Sequence, residues 1–149
     1  MMKRILLTGM SGVGKSAVLE RLAAEGILCI DLDDGWMREA EGERLIDIDG
    51  VRQFVRAHSA QPVVFAGCAV NQGRLDADCV ILLTASLQTM QKRIAGRRNP
   101  FGKDPETWRK IAADKAEFEP VLRAKSDLVI STEQALEDTV RQVLDLLKR

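Results

Sequence analysis

Gly9-Met10-Ser11-Gly12-Val13-Gly14-Lys15-Ser16 is the stretch on which the reading of the whole chain turns. It satisfies the spacing G-x-x-x-x-G-K-[ST] at every fixed position, a pattern that carries weight only between a strand and a helix. Both flanks are present. Arg4 to Thr8 reads as a short buried strand, and Ser16 to Ala24 places Val18, Leu19, Leu22 and Ala23 on one helical stripe, with Gly26 as a stop. Glycines let the backbone curl until successive N–H groups point into one concavity, a nest for anionic oxygens. The N-terminus of the following helix adds partial positive charge at the same place. The spacing predicts a polyphosphate cradle formed by Gly9, Ser11, Gly12, Val13, Gly14, Lys15, Ser16 and Ala17. Lys15 would reach the β- and γ-phosphates as a mobile point charge, and the Ser16 hydroxyl would ligate a bridging Mg²⁺.

Outward from this loop, short apolar runs alternate with amphipathic helical patterns, the arrangement of βαβ units around a parallel sheet. The runs are Ile5-Leu6-Leu7, Ile27-Leu28-Cys29-Ile30, Val63-Val64-Phe65-Ala66, Cys79-Val80-Ile81-Leu82-Leu83 and Leu128-Val129-Ile130. They are continuously apolar, as strands covered by helices on both faces should be. Five such strands predict an α/β protein with one domain over residues 1–149 and nothing added. Helix punctuation follows the same logic. Asp49 is expected to cap a helix carrying Val51, Phe54, Val55 and His58, and Ser86 one carrying Leu87, Met90 and Ile94. Asp104-Pro105 opens a long helix that Pro120 should break or kink, and Asp34 is placed to cap a helix near Trp36. Ser131 and Gln134 have capping-box spacing before the last helix. Residues 67–77 and 97–104 read as loops, long enough in a small domain to carry function.

Composition narrows the classes. The chain has 149 residues, of which 46% are apolar and 30% charged, and its formal net charge is zero. That balance argues against coating nucleic acid or an anionic membrane. Cys29, Cys68 and Cys79 lie far apart in apolar stretches, without C-x-x-C spacing, and His58 is the single histidine. A zinc site or disulfide framework is not expected, and three buried thiols in a reducing compartment are. The N-terminal apolar run is too short for a signal peptide, and no segment approaches the roughly 20 apolar residues of a membrane span. The expectation is a cytoplasmic protein, monomeric in that nothing demands more.

The acids decide among nucleotide users. A motor ATPase carries an apolar strand ending in Asp, whereas the third and fourth runs end Ala66-Gly67-Cys68 and Leu83-Thr84-Ala85. Asn99-Pro100-Phe101-Gly102-Lys103-Asp104 lacks the N-K-x-D spacing of guanine readers. Acid instead closes the second strand, as Asp31-Leu32-Asp33-Asp34. In a parallel sheet the carboxyl ends of strands face the ligand crevice, and residues two apart in extended chain share a side. One carboxylate can hold magnesium through water, while the other orients an attacking hydroxyl or accepts its proton.

A P-loop followed about fifteen residues later by a strand ending in Asp-x-Asp resembles shikimate kinase and its relatives among the nucleoside monophosphate kinases. The resemblance implies a three-layer P-loop NTPase fold with strand order 2-3-1-4-5 and a short lid loop. It implies that Asp31 helps organise magnesium and Asp33 binds the acceptor hydroxyl. The segment from Val63 to Gln72 is similar in position to the family's acceptor loop but has one glycine where that loop has three, and offers Asn71 and Gln72. The arginine that would hold a shikimate carboxylate is not identified; Arg52, Arg56 and Arg74 are candidates. Arg93-Ile94-Ala95-Gly96-Arg97 resembles the approach to the lid of adenylate-kinase-like enzymes, which implies that Arg93 stacks on adenine and Arg97 contacts the transferred phosphate, with Arg98 beside them. Asn99 to Lys103 would be the lid, and the turn after Ser131-Thr132 would pack on the base.

The expected activity is an ATP-dependent phosphotransferase using Mg²⁺, with Lys15, Asp33 and Arg97 in catalysis. Its acceptor would be a nucleoside, a nucleotide or a shikimate-like hydroxyl compound, set against Asp33, Asp34, Trp36, Asn71 and Gln72. The other reading is a nucleotide-binding regulatory or partner-binding module with little turnover. His58 is read as a packing or capping residue, and Trp36 and Trp108 as packing anchors, the former being also a candidate to line the acceptor site.

Overall fold

The computed structural model describes residues 3–58 and 60–148, so Met1, Met2, Ser59 and Arg149, with the N-terminal part of the leader-peptide reading, lie outside the described residues. At the centre of the sheet is strand β1 (Arg4–Thr8), whose Ile5, Leu6 and Leu7 are no more than 1% exposed. The remaining elements are α1 (Lys15–Ala24), β2 (Leu28–Asp31), β3 (Met37–Ala40), β4 (Glu43–Ile46), α2 (Ile48–Ala57), β5 (Val63–Ala66), a 3₁₀ turn over Gln72–Leu75, β6 (Cys79–Thr84), α3 (Leu87–Gly96), α4 (Pro105–Lys125), β7 (Leu128–Ser131) and α5 (Leu136–Leu147). Five strands form one parallel sheet in the order β2-β5-β1-β6-β7, with β1 between β5 and β6. Counted within that sheet alone, this is the expected 2-3-1-4-5; an inserted hairpin shifts the labels.

Alternation along the strands builds two cores. Ile5, Leu7, Val64, Ala66, Ile81 and Leu83 turn to the face covered by α1, α3, α4 and α5. Leu6, Val63 and Phe65 turn to the other face, packed by Ile48, Val51 and Val55 of α2 and by Ile46 of β4. Burial on both faces is why the central strands β5, β1 and β6 read as unbroken apolar runs; the edge strand β7 departs from that expectation, with Leu128 and Val129 each 40% exposed.

The hairpin β3–β4 is the main departure from expectation. No helix follows Trp36. Met37–Ala40 and Glu43–Ile46 pair antiparallel across Glu41 (φ 52°) and Gly42 (φ 79°), the two positive values that a type I′ turn requires. Asp34 therefore caps no helix. The hairpin is tied down by a donation from the Asp47 N–H to the Trp36 carbonyl (2.8 Å) and by the Trp36 ring set edge-on to Phe54 at 5.5 Å.

Three terminus assignments also change. Asp47, not Asp49, caps α2, its carboxylate accepting from the Gly50 N–H (3.1 Å), which moves the start two residues upstream. The Ser131/Gln134 box does not form, because α5 starts at Leu136 after an Ala135 without a side-chain cap; Gln134 donates to Thr139 and Gln142 instead. α4 runs 21 residues with Pro120 inside and is not ended by it. Beside the proline, buried Glu119 accepts from the Thr84 hydroxyl and from Lys115, so α4 is anchored to the sheet where its own ladder is weakest. Ser86 and Asp104 cap α3 and α4 as expected, accepting from the Thr89 and Thr107 N–H groups. His58 closes α2, its Nδ1 2.9 Å from the Phe54 carbonyl and its ring stacked on Phe54. Among the described residues no helix is long and apolar enough to cross a membrane.

Candidate phosphate and acceptor site

The loop between β1 and α1 winds through positive φ at Gly9 (147°), Gly12 (89°) and Gly14 (102°). Gly9 has no alternative. A Cβ there would lie 2.4 Å from the Leu83 carbonyl oxygen of β6 and 3.0 Å from Val13, so the loop can sit this deep only without a side chain. Lys15 opens α1, and its ammonium folds back to donate to the carbonyls of Gly9 (2.5 Å) and Met10 (3.0 Å). Burial pushes the Lys15 pKa below its ordinary value; Cys68, Asp33 and Asp31 oppose that shift, and Arg97 adds to it. The charge is thus poised over the loop and short of partners able to balance it.

One cavity of about 1010 Å³ opens over this loop, with Gly9, Ser11, Gly12, Gly14, Lys15, Ser16 and Ala17 in its floor. Asp31 and Asp33 face it from the end of β2, and Arg93, Arg97 and Phe101 from the side of α3 and the 97–104 loop. The chain turns immediately after Asp31, whose carboxylate accepts from the Asp33 N–H (3.1 Å). The two acids share the cavity through that turn and not through extended backbone.

Arg93 is held by three donations, to the Val13 carbonyl (2.9 Å), the Thr132 hydroxyl (2.8 Å) and the Thr132 carbonyl (2.6 Å). Thr132, 6% exposed, donates in turn to Val13 O (2.7 Å), so the turn after β7 is clasped to the phosphate loop. Arg97 donates to the Phe101 carbonyl (2.7 Å), and among the described residues its Nε is buried without a hydrogen-bond partner. The loop bearing Phe101 closes onto α3 and α4 through Gly102 (φ 86°), where a Cβ would meet Ile111 Cδ1 at 2.7 Å.

Other expected site residues sit elsewhere. Val13, though buried, presents its carbonyl to Arg93, and Arg98 is exposed outside the cavity lining. Asp34 and Trp36 are outside it too. Asn71 brackets Ile46, accepting from its N–H (3.1 Å) and donating to its carbonyl (3.0 Å); Gln72 Oε1 accepts from the Ala69 N–H (3.0 Å) and the Thr8 hydroxyl (3.3 Å). Arg52 is tied to Arg74 O and Asp76, and neither Arg52, Arg56 nor Arg74 lines the cavity.

Several residues in the lining were not read from sequence. Arg44 of β4 reaches Asp33 (3.1 Å), a placement hidden by the unrecognised hairpin. Cys68, at the end of β5, is exposed rather than buried, whereas Cys79 is buried and Cys29, half-buried, has its thiol pushed up to about 11 by burial. Asp114 of α4 and Gln134 after β7 line the cavity as well. Gln134 had a signal, its place just past the last strand; Asp114 had none.

Comparison with known proteins bears on the fold and the family. The profile of the AAA domain family matches residues 5–118. A nucleotide-binding protein of Alcanivorax borkumensis is 28% identical over 96% of this chain and 54% of its own length, so the chain spans about half of that curated relative. Among solved structures, shikimate kinase from Acinetobacter baumannii in complex with shikimate superposes with a TM-score of 0.70 at 22% identity, over 99% of this chain and 94% of that one. A gluconokinase from Sinorhizobium meliloti 1021 does so with 0.60 at 23%, over 98% and 91%. At these identities the likeness establishes the fold.

Proposed function

The chain belongs to the AAA domain family, and on that premise we propose that it is an ATP-dependent phosphotransferase acting on a small-molecule hydroxyl or phosphate acceptor. The observation that carries the proposal is convergence: the phosphate loop, the Asp31 and Asp33 carboxylates and the Arg93 and Arg97 guanidiniums, from three separate parts of the chain, face one cavity. A fold alone needs none of that agreement.

The donor set suits magnesium held jointly with phosphates. Among the described residues no group of three or more His, Cys, Asp or Glu side chains could cage an ion. The exposed Ser16 hydroxyl and the half-buried Asp31 carboxylate face the same cavity, and Mg²⁺ is commonly bound by one or two protein oxygens with the rest from phosphate and water. Bound there, the ion would neutralise charge on the β- and γ-phosphate oxygens. Lys15 would leave the Gly9 and Met10 carbonyls for those oxygens, which compensate it better. Arg97 would turn its unpartnered Nε to the transferred group, and Arg93, already rigid, would offer its guanidinium plane to the base. Asp33 would orient the acceptor. Catalysis of this kind is positioning and charge neutralisation.

The second reading, a nucleotide-binding module with little turnover, is favoured by one feature: Asp33 is engaged by Arg44. An ADP-release screen over hydroxyl and monophosphate acceptors separates the two. The phosphotransferase reading expects one acceptor class to stimulate release, and Asp33→Asn to cut that stimulation about 100-fold or more with ATP affinity retained. Absence of stimulation by every acceptor, with ATP bound normally, would leave the module reading standing.

A further inference from the structure

Arg44 projects from β4 into the cavity and forms an ion pair with Asp33 (Nη1 to Oδ1, 3.1 Å), while its Nη2 lies 3.4 Å from the Asp33 carbonyl. The pairing is selective. Glu39 stands directly opposite Arg44 in the hairpin register, the position for a cross-strand pair, yet Arg44 pairs with Asp33. The hairpin holding it is fixed from below by buried Ile46 and by the double Asn71 bracket on that residue's backbone.

We infer that Arg44 is the anion receptor of the acceptor subsite, and that an acceptor bearing a carboxylate or phosphate near its reacting hydroxyl exchanges for Asp33 on Arg44. The inference rests on the phosphotransferase reading of the cavity. A hydroxyl that takes the Asp33 carboxylate pulls it from Arg44 and strands a guanidinium in a space already holding Lys15, Arg93 and Arg97. A neutral acceptor gives nothing back for that loss. An anionic one restores the pair, and the guanidinium fork matches either group with two parallel hydrogen bonds. Both side chains of the existing pair are about half exposed (53% and 54%), and exposed pairs shift an equilibrium by a factor of about five at most, so the latch opens readily. While closed, it keeps Asp33 from activating water beside bound ATP.

The test fills the phosphate loop with Mg²⁺ and a non-hydrolysable ATP analogue, so that anions cannot bind there. The Arg44 Nε–H resonance, assigned by its loss in Arg44→Gln, is then followed during titration with glycerol, glycerate, gluconate and glycerol 3-phosphate. The expected result is a saturable shift with the carboxylates, the phosphate ester or both, and none with glycerol at the same concentration. Arg44→Gln should weaken that anion about tenfold or more, with Arg44→Lys recovering part of it. No shift with any anion, an equal shift with glycerol, or unchanged affinity in Arg44→Gln overturns the inference. ADP release with the same compounds separates the two claims. Stimulation by neutral acceptors alone sustains the phosphotransferase and removes the anion receptor; anion binding at Arg44 without transfer from ATP does the reverse.

Discussion

Replacing Asn71 with alanine removes both hydrogen bonds that bracket Ile46, at 3.1 and 3.0 Å, without touching the phosphate loop. Each is a part-buried side-chain-to-backbone bond with a typical net worth of about 1 kcal/mol, so the hairpin should lose about 2 kcal/mol of docking energy. Water can reach part of the freed peptide, which keeps the cost at this end of the range. The loss should stay local. Ile46 packs with α2 and β5 on one face of the sheet, whereas the phosphate loop is braced from the other by Thr132 and Arg93. Native-state amide exchange of Ile46 should accelerate about 30-fold, while the amides of β1 keep their protection. Arg44 lies two residues from Ile46, so acceptor KM should rise while ATP affinity holds. Unchanged exchange at Ile46 would refute the bracket as the hairpin's anchor. An equal loss of ATP affinity would refute the separation of hairpin and phosphate loop.

Lys15→Met should abolish binding of magnesium triphosphates in calorimetry. The Lys15 pKa is depressed in the folded chain, so the unfolded state binds more protons between the folded value and 10.5; wild-type stability should rise with pH across that window, and Lys15→Met should flatten the rise in denaturant titrations. Gly102→Ala forces a Cβ to 2.7 Å from Ile111 Cδ1 and 3.1 Å from Ile94 Cγ2 at φ 86°, and should cost about 1–3 kcal/mol in thermal melts. Glu133 accepts from the Ser86 N–H and the Thr89 hydroxyl, which hold its carboxyl below the usual glutamate value. Its stabilising effect should be complete above the unfolded value and vanish as pH falls through the folded one; carbonyl ¹³C titration showing an ordinary Glu133 value would contradict this.

By itself the sequence determined what local chemistry determines: the glycine-lysine loop between a strand and a helix, the five apolar strands of the sheet, and the Ser86 and Asp104 caps. Each depends on residues close together along the chain, acting through backbone freedom, periodicity or a side chain reaching its own helix. Tertiary structure decided the rest. Met37-Arg38-Glu39-Ala40 has no apolar alternation because the hairpin buries little beyond Ile46 and relies on Asn71, 25 residues away. Pro120 does not end α4 because Glu119 is held by Thr84, 35 residues away. Arg44 becomes a cavity residue through Asp33, and Arg93 a fixed plane through Thr132, 39 positions on. Contacts between charged or polar side chains so far apart leave no period and no spacing in the chain; they exist only after the hydrophobic faces have chosen where each element lies.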